Sequence, residues 1–253
     1  MPNNQDKRNF KLTIEYDGSA YLGWQRQKNP RTVQGNIERA IEKFTGQSVG
    51  VIGSGRTDSG VHALGQVASF NCITKLSPEV IQRALNAILP DDIVVHGCTE
   101  MPMDFHARYD VIAKRYRYRI INRNIPCAVG RQYAWFIKRP LDLPAMTAAL
   151  AHLIGKHDFS AFEAAGAPRS HSIRHVHRAK LHRDDNDHID FTIEANGFLR
   201  HMVRNIVGTL VDVGLGKRTP ESMRVIREAK DRSLAGITAP AHGLFLVQVL
   251  YSI

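Results

Sequence analysis

The sequence is poor in cysteine, in long apolar runs and in acidic residues. Three cysteines, Cys72, Cys98 and Cys127, stand far apart without a C-x-x-C pair, which argues against a disulfide framework or a zinc-ribbon ligand set. They are expected to be reduced thiols, buried or incidental. The opening MPNNQDKRN carries no apolar leader core, and no apolar run reaches the roughly 18 residues of a membrane span. A cytoplasmic protein without membrane contact is expected. The 24 acidic residues face 34 Lys and Arg, a formal charge of +10 that suits a polyanionic partner.

Several chemistries are missing as well. There is no G-x-x-x-x-G-K-[ST] phosphate loop, and Gly53, Gly55 and Gly60 do not fit the G-x-G-x-x-G spacing, which sets aside nucleoside triphosphate and dinucleotide chemistry. The H-x-E with C-x-x-C pattern of zinc deaminases is absent, as are H-E-x-x-H and G-x-S-x-G. In HSIRHVHR, His175 and His177 would share one face of a strand, but no third ligand is at hand to complete a metal site. A basic, partly titratable RNA-facing strand is the preferred reading.

What is present is well patterned. Phe10, Leu12, Ile14 and Tyr16 alternate with Lys11, Thr13 and Glu15, which predicts a strand with one buried face. Thr32 precedes Val33, Ile37, Ala40, Ile41 and Phe44 at helical spacing, and Gly46 provides a stop. A short strand over 48–53, a strand over 66–72, a helix opened by Ser77 and Pro78, and a strand over 92–98 complete a β-α-β-β-α-β order. The second half repeats it: a strand over 112–122, a helix over 143–155, strands over 172–182 and 188–194, a long helix over 198–213, a shorter one after Pro220, and a final strand from Leu244. The expected fold is α+β, two ferredoxin-like halves (1–105 and 106–253) packed around a central, mainly antiparallel sheet with a cleft between them. The cleft is the default site, and 157–170, with Gly166 and Pro168, is expected to be a mobile loop at its edge.

The stretch GSGRTDSGVHA from Gly53 sets Arg56, Thr57 and Asp58 among glycines between two strands, where backbone can approach a ligand and a side chain can project. The alternative is a hairpin in which the aspartate only serves the turn. FLRHMVRNIVGTLVDVG from Phe198 is apolar nearly all round yet carries Arg204 and Asn205 in its middle. A buried guanidinium calls for a carboxylate or phosphate, and Asp58 is a candidate among other acids. In AKRYRYRI, Tyr116, Tyr118 and Ile120 alternate with Arg115, Arg117 and Arg119. Aromatic stacking on bases and basic contacts to phosphate both fit RNA binding, so periodicity leaves the orientation of the two faces open.

These residues, with IEYDGSAYLGWQRQ, TVQGNIERAI, GSGRTDSGVHALGQVASF, FHARYDVIAKRYRYRI, DFSAFE, FLRHMVRNIVGTLVDVGLGK and APAHGLFL, make the chain similar, from Leu12 to Val249, to the TruA family of tRNA pseudouridine synthases. The resemblance implies isomerisation of uridine to pseudouridine at positions 38, 39 and 40 of the tRNA anticodon stem-loop. It also implies a homodimer without metal or organic cofactor. Motif by motif, it places the catalytic aspartate on Asp58, the preceding arginine on Arg56, the active-site tyrosine on Tyr116 and the helical arginine on Arg204. Ser59 stands where many members have alanine. The alternatives are a non-catalytic RNA-binding protein and a pseudouridine synthase acting on another RNA.

Overall fold

A computed structural model describes residues 7–27, 31–164 and 171–252. The chain divides into two compact units, Met1–Ile112 with Leu246–Ile253, and Ala113–Phe245. Each is a mixed α/β body built on a mainly antiparallel sheet.

In the first unit β1 (Lys7–Tyr16) carries the expected alternation, with Phe10, Leu12, Ile14 and Tyr16 all buried. It runs antiparallel between β3 (His62–Ile73) and β4 (Ile93–Met101), Leu12 facing Ala68 on one side and Cys98 on the other. β2 (Ile52–Gly53) pairs antiparallel with β3. It is shorter than the strand expected over 48–53 because Gln47 takes over the ladder's role: its side chain donates to Ile73 O (2.7 Å) and accepts from Ile73 N (2.9 Å). α1 (Val33–Thr45) begins as predicted, with Thr32 Oγ1 accepting from Gly35 N, and ends at Gly46, whose φ of 68° is favourable for glycine. α2 (Pro78–Ile88) packs on β4. Ile37, Ile41, Ile81 and Leu85 are fully buried, each contributing about 1.5–3 kcal/mol. Residues 246 onward of β10 (Leu244–Tyr251) join this unit and pair with β3. Gly65 permits that approach, since a Cβ there would stand 2.6 Å from Val247 O.

In the second unit β5 (Val111–Asn122), β9 (His188–Ala195), β8 (Ile173–Arg183) and β7 (Gly155–Asp158) follow one another antiparallel, and β6 (Trp135–Ile137) adds parallel to β5. β6 and β7 are not foreseen from the sequence. α3 (Leu143–Leu150), α4 (Met202–Gly214) and α5 (Ser222–Ala229) complete it. The helix expected over 143–155 stops at Leu150, passes through a 3-10 turn, and Gly155 at φ 104° opens β7. The strand Gly155–Asp158 runs into the start of the expected loop 157–170, where Ser160–Phe162 then forms a 3-10 turn that buries Phe162; 165–170 lie outside the described residues. The helix expected from Phe198 begins at Met202, because His201 sits at φ 61°, a left-handed conformation that cannot extend a right-handed helix.

Candidate active site

Between β2 and β3 the chain makes the glycine-flanked loop, and buried hydrogen bonds fasten it from beneath. Ser54 N donates to Val67 O (2.7 Å), Ser54 Oγ to Gln66 Oε1 (2.7 Å), and Gln66 Nε2 to Gly55 O (3.0 Å). Immediately before Asp58, Thr57 Oγ1 lies 2.7 Å from Tyr16 OH, both side chains being buried. Burial pushes the Tyr16 phenol well above its ordinary range, more strongly than hydrogen bonds with Thr57 and Gln66 pull it down, so it stays protonated. Such a network rigidifies a loop when its members are satisfied.

The segment that follows β1 braces the same loop from the side. A Cβ on Gly18 would stand 2.0 Å from Val61 O, and one on Gly23, at φ 91°, 2.6 Å from Thr57 O. Both glycines therefore let backbone lie directly on backbone. Trp24 N donates to Thr57 O (3.1 Å), and the Trp24 ring covers the space a Cβ on Gly53 would need. Ser59 Oγ donates to Tyr21 O (3.1 Å). Arg56 is exposed, with Nε donating to Gln25 Oε1 (3.0 Å). At the tip, Val61 N donates to Asp58 O (3.2 Å) while Gly60 turns the chain at φ 76°. Asp58 is thus held partly exposed on a fastened turn: the loop is a turn, and its acid is presented by it.

The second unit answers the question that periodicity left open on β5. Tyr116, Tyr118 and Ile120 face the core, 8%, 0% and 1% exposed. The arginine face is partly exposed and engaged by β9: Arg115 donates to Glu194 (2.7 and 3.0 Å), Arg119 makes a two-pronged contact with Asp190 (2.8 Å each), and Arg117 lies 3.9 Å from Asp190. The β5–β9 register sets Arg115 opposite Glu194 and Arg119 opposite Asp190, so these arginines are first of all cross-strand partners. Tyr116 meets Phe198 edge to face at 5.0 Å. Tyr118 OH donates to Pro240 O (2.8 Å), with burial pushing its phenol far up and the charge of Arg204 opposing.

Arg204 is half-buried on α4, its Nε donating to Ala239 O (2.7 Å) and its own carbonyl accepting from Ala239 N (3.1 Å). Asn205 beside it is fully buried: Nδ2 donates to Phe162 O (2.7 Å), and Oδ1 accepts from Thr238 Oγ1 (2.7 Å) and Arg232 Nη2 (3.0 Å). Gly208 lets α4 touch the same segment, since a Cβ there would stand 1.8 Å from Ile237 O. The polar pair inside an apolar helix therefore ties that helix to the DFSAFE and APAHG stretches.

The sequence singles out Asp58, Arg56, Tyr116 and Arg204 as candidates but does not announce that Tyr16, Gly18, Gly23, Trp24 and Gln66 hold the loop. The signal lay in IEYDGSAYLGWQRQ, where glycines punctuate aromatics just after a strand. The rings of His175 and His177 are exposed and 4.4 Å apart; among the described residues no group of three His, Cys, Asp or Glu is placed to hold a metal ion.

The chain matches the tRNA pseudouridine synthase family over residues 12–110 and 149–252. It is 49% identical over 244 residues to the tRNA pseudouridine synthase A of Thermoanaerobacter sp. (strain X514), covering 96% of this chain and 100% of that one. With the tRNA pseudouridine synthase A of Acetivibrio thermocellus it shares 48% identity over the same length and coverage. Among solved structures, a Cbf5-Nop10-Gar1 complex aligns over 80% of this chain and 45% of that chain at 12% identity and a TM-score of 0.35, a likeness that carries no argument.

Proposed function

The chain belongs to the TruA family of tRNA pseudouridine synthases, and from that premise we propose that Asp58 is the carboxylate with which it isomerises uridine at positions 38, 39 and 40 of the tRNA anticodon stem-loop. The protein is an isomerase acting on tRNA. The observation that carries the assignment of Asp58 is the double fastening of its loop, by Tyr16 and Gln66 beneath and by Gly23 and Trp24 beside, with the acid left partly exposed at the tip. Preorganised geometry of this kind is what a catalytic group requires.

The reaction breaks the N1–C1′ bond, turns the uracil and joins it again through C5, with neither oxidation nor hydrolysis. A carboxylate is enough as the central group: it attacks C1′, adds to C6, or removes the 2′ proton, and each route needs it ionised beside the nucleotide. The reading assigns Arg204 to orienting that carboxylate and balancing its charge, and Tyr116 to stacking on the uracil and relaying the proton lost from C5. Arg56 fills the space vacated when the target base is flipped from the stem. Neither metal nor organic cofactor enters. The antiparallel order β4-β1-β3-β2 of the first unit supports a ferredoxin-like half, and we read the second unit in the same way. A homodimer and a cytoplasmic location complete the proposal; no helix among the described residues is long and apolar enough to cross a membrane.

Asp58→Asn is expected to bind tRNA and form no product; normal turnover in that variant refutes the assignment. Tyr116→Phe separates ring from hydroxyl, with lost turnover and retained binding marking proton transfer. Arg56→Ala is expected to impair stem-embedded targets more than unpaired ones. Mapping pseudouridine in unmodified total tRNA after incubation separates this function from RNA binding alone and from action on another RNA.

A further inference from the structure

The FHARYD stretch, residues 105–110, has no part in the chemistry assigned to Asp58, yet it is one of the most firmly built turns in the first unit. Ala107 is fully buried, its N–H donating to Ser69 Oγ (3.3 Å) and its carbonyl accepting from Tyr251 OH (2.6 Å). Asp110 Oδ2 accepts from His106 N (2.8 Å), and Asp110 N donates to His106 O (3.2 Å). His106 Nδ1 accepts from both Arg108 N (3.1 Å) and Tyr109 N (3.3 Å), which places the ring's proton on Nε2.

All this fastening presents an aromatic side chain to solvent. Tyr109 is 73% exposed. Its ring centroid lies 4.2 Å from that of His106 at 30° from parallel, and the Arg108 guanidinium carbon lies 5.6 Å from it. Beside the turn runs a groove of about 670 Å³ whose lining includes Lys7, Ser48, Asn71, Phe105 and His106. An aromatic ring backed by an imidazole and a guanidinium, next to hydrogen-bond donors and within a chain of charge +10, has the composition of a single-strand RNA contact.

We propose that this turn is a second RNA contact of the enzyme: an unpaired nucleobase of the tRNA, other than the reacting uridine, stacks on Tyr109, and the adjoining groove takes the flanking phosphate and sugar through Lys7, Asn71 and His106 Nε2. The proposal rests on tRNA being the substrate. It gives the turn a role in holding the RNA, separate from the chemical step.

The test uses the full chain with Tyr109→Ala and Tyr109→Phe, an unmodified tRNA transcript as substrate, and initial rates of pseudouridine formation. Tyr109→Ala is expected to raise KM about 10-fold, the order of one lost base stack, with kcat within about two-fold of the parent. Tyr109→Phe keeps the ring and is expected to match the parent. With Tyr109 so exposed, the thermal midpoint should not move. An unchanged KM in Tyr109→Ala overturns the proposal, as does a loss confined to kcat. A changed sedimentation of free Tyr109→Ala also overturns it, by making this face an interface between copies. Absence of product from the parent chain on tRNA would instead overturn the function from which the proposal starts, so the two failures are distinguishable.

Discussion

Removing one hydroxyl group from beneath the Asp58 loop tests how that loop is held. Tyr16→Phe deletes the partner of Thr57 Oγ1, 2.7 Å away and buried. A neutral hydrogen bond contributes about 1 kcal/mol net, and stranding its buried partner brings the cost to about 1–3 kcal/mol. For a chain of this size each kcal/mol corresponds to about 2–4 °C, so a thermal midpoint lower by roughly 2–12 °C is expected. Thr57→Val is expected to cost about 1 kcal/mol, since the phenol keeps its hydrogen bond with Gln66. The double variant, with both hydroxyls gone, should recover much of the loss, because replacing both partners by apolar groups of like shape is nearly neutral. A coupling of about 1–2 kcal/mol should therefore emerge from the cycle. Thr57 immediately precedes Asp58, so each single variant is also expected to lower kcat about 10-fold or more with KM unchanged, since misplacement near 1 Å can cost 100-fold. Urea melts and single-turnover rates on tRNA measure both. Additive stability losses would refute the pairing as an energetic unit. A lowered midpoint with unchanged kcat would refute its role in positioning Asp58.

Gly23→Ala forces a side chain onto a φ of 91° and against Thr57 O, at least about 1–2 kcal/mol from backbone strain alone; lost turnover with retained tRNA binding is expected in filter-binding and rate assays. Asn205→Ala removes a fully buried side chain and with it the partner of Phe162 O, while Thr238 Oγ1 keeps its bond from Arg232 Nη2, and about 1–3 kcal/mol less stability is expected in urea melts. Asn205→Asp should not restore it, because the donor to Phe162 O is still missing. Burial pushes the Cys98 thiol up to about 12 from an ordinary 9.0. An acid with a raised folded-state pKa binds its proton more tightly in the native state, so its stabilisation is present below about pH 9 and lost as pH rises toward 12. Urea midpoints should fall from pH 8 to pH 10, and less so in Cys98→Ala.

Local patterns were readable where one short stretch contains its own explanation. The alternation of β1, the Thr32 and Gly46 ends of α1, and the glycine-flanked Asp58 all lie within a few residues of the features that define them. Tyr16 and Thr57 are 41 positions apart, and nothing in either stretch announces the other. Asn205 looks anomalous in an apolar helix until Phe162 comes to it from one other stretch and Arg232 and Thr238 from a second. The late start of the expected 198–213 helix depends on one left-handed residue, His201, of a type that gives no such warning. The engagement of the β5 arginines could have been read: in HIDFTIEA two acids stand four positions apart on one strand face, and an antiparallel neighbour would bring Asp190 and Glu194 to them.

The first unit takes in residues from Leu246 onward, although the rest of it ends near Ile112. Translation consequently makes β10 after every other strand and helix, when β3 and the Asp58 loop have long been synthesised. Until then a stretch of β3 is without its β10 partner, its N–H and C=O groups left for water or for another strand. The sheet of this unit is thus completed only after β10 has been made. A nascent chain lacking only β10 would carry every residue assigned to the reaction and still lack the strand that pairs with β3, in the sheet on which Asp58 is mounted.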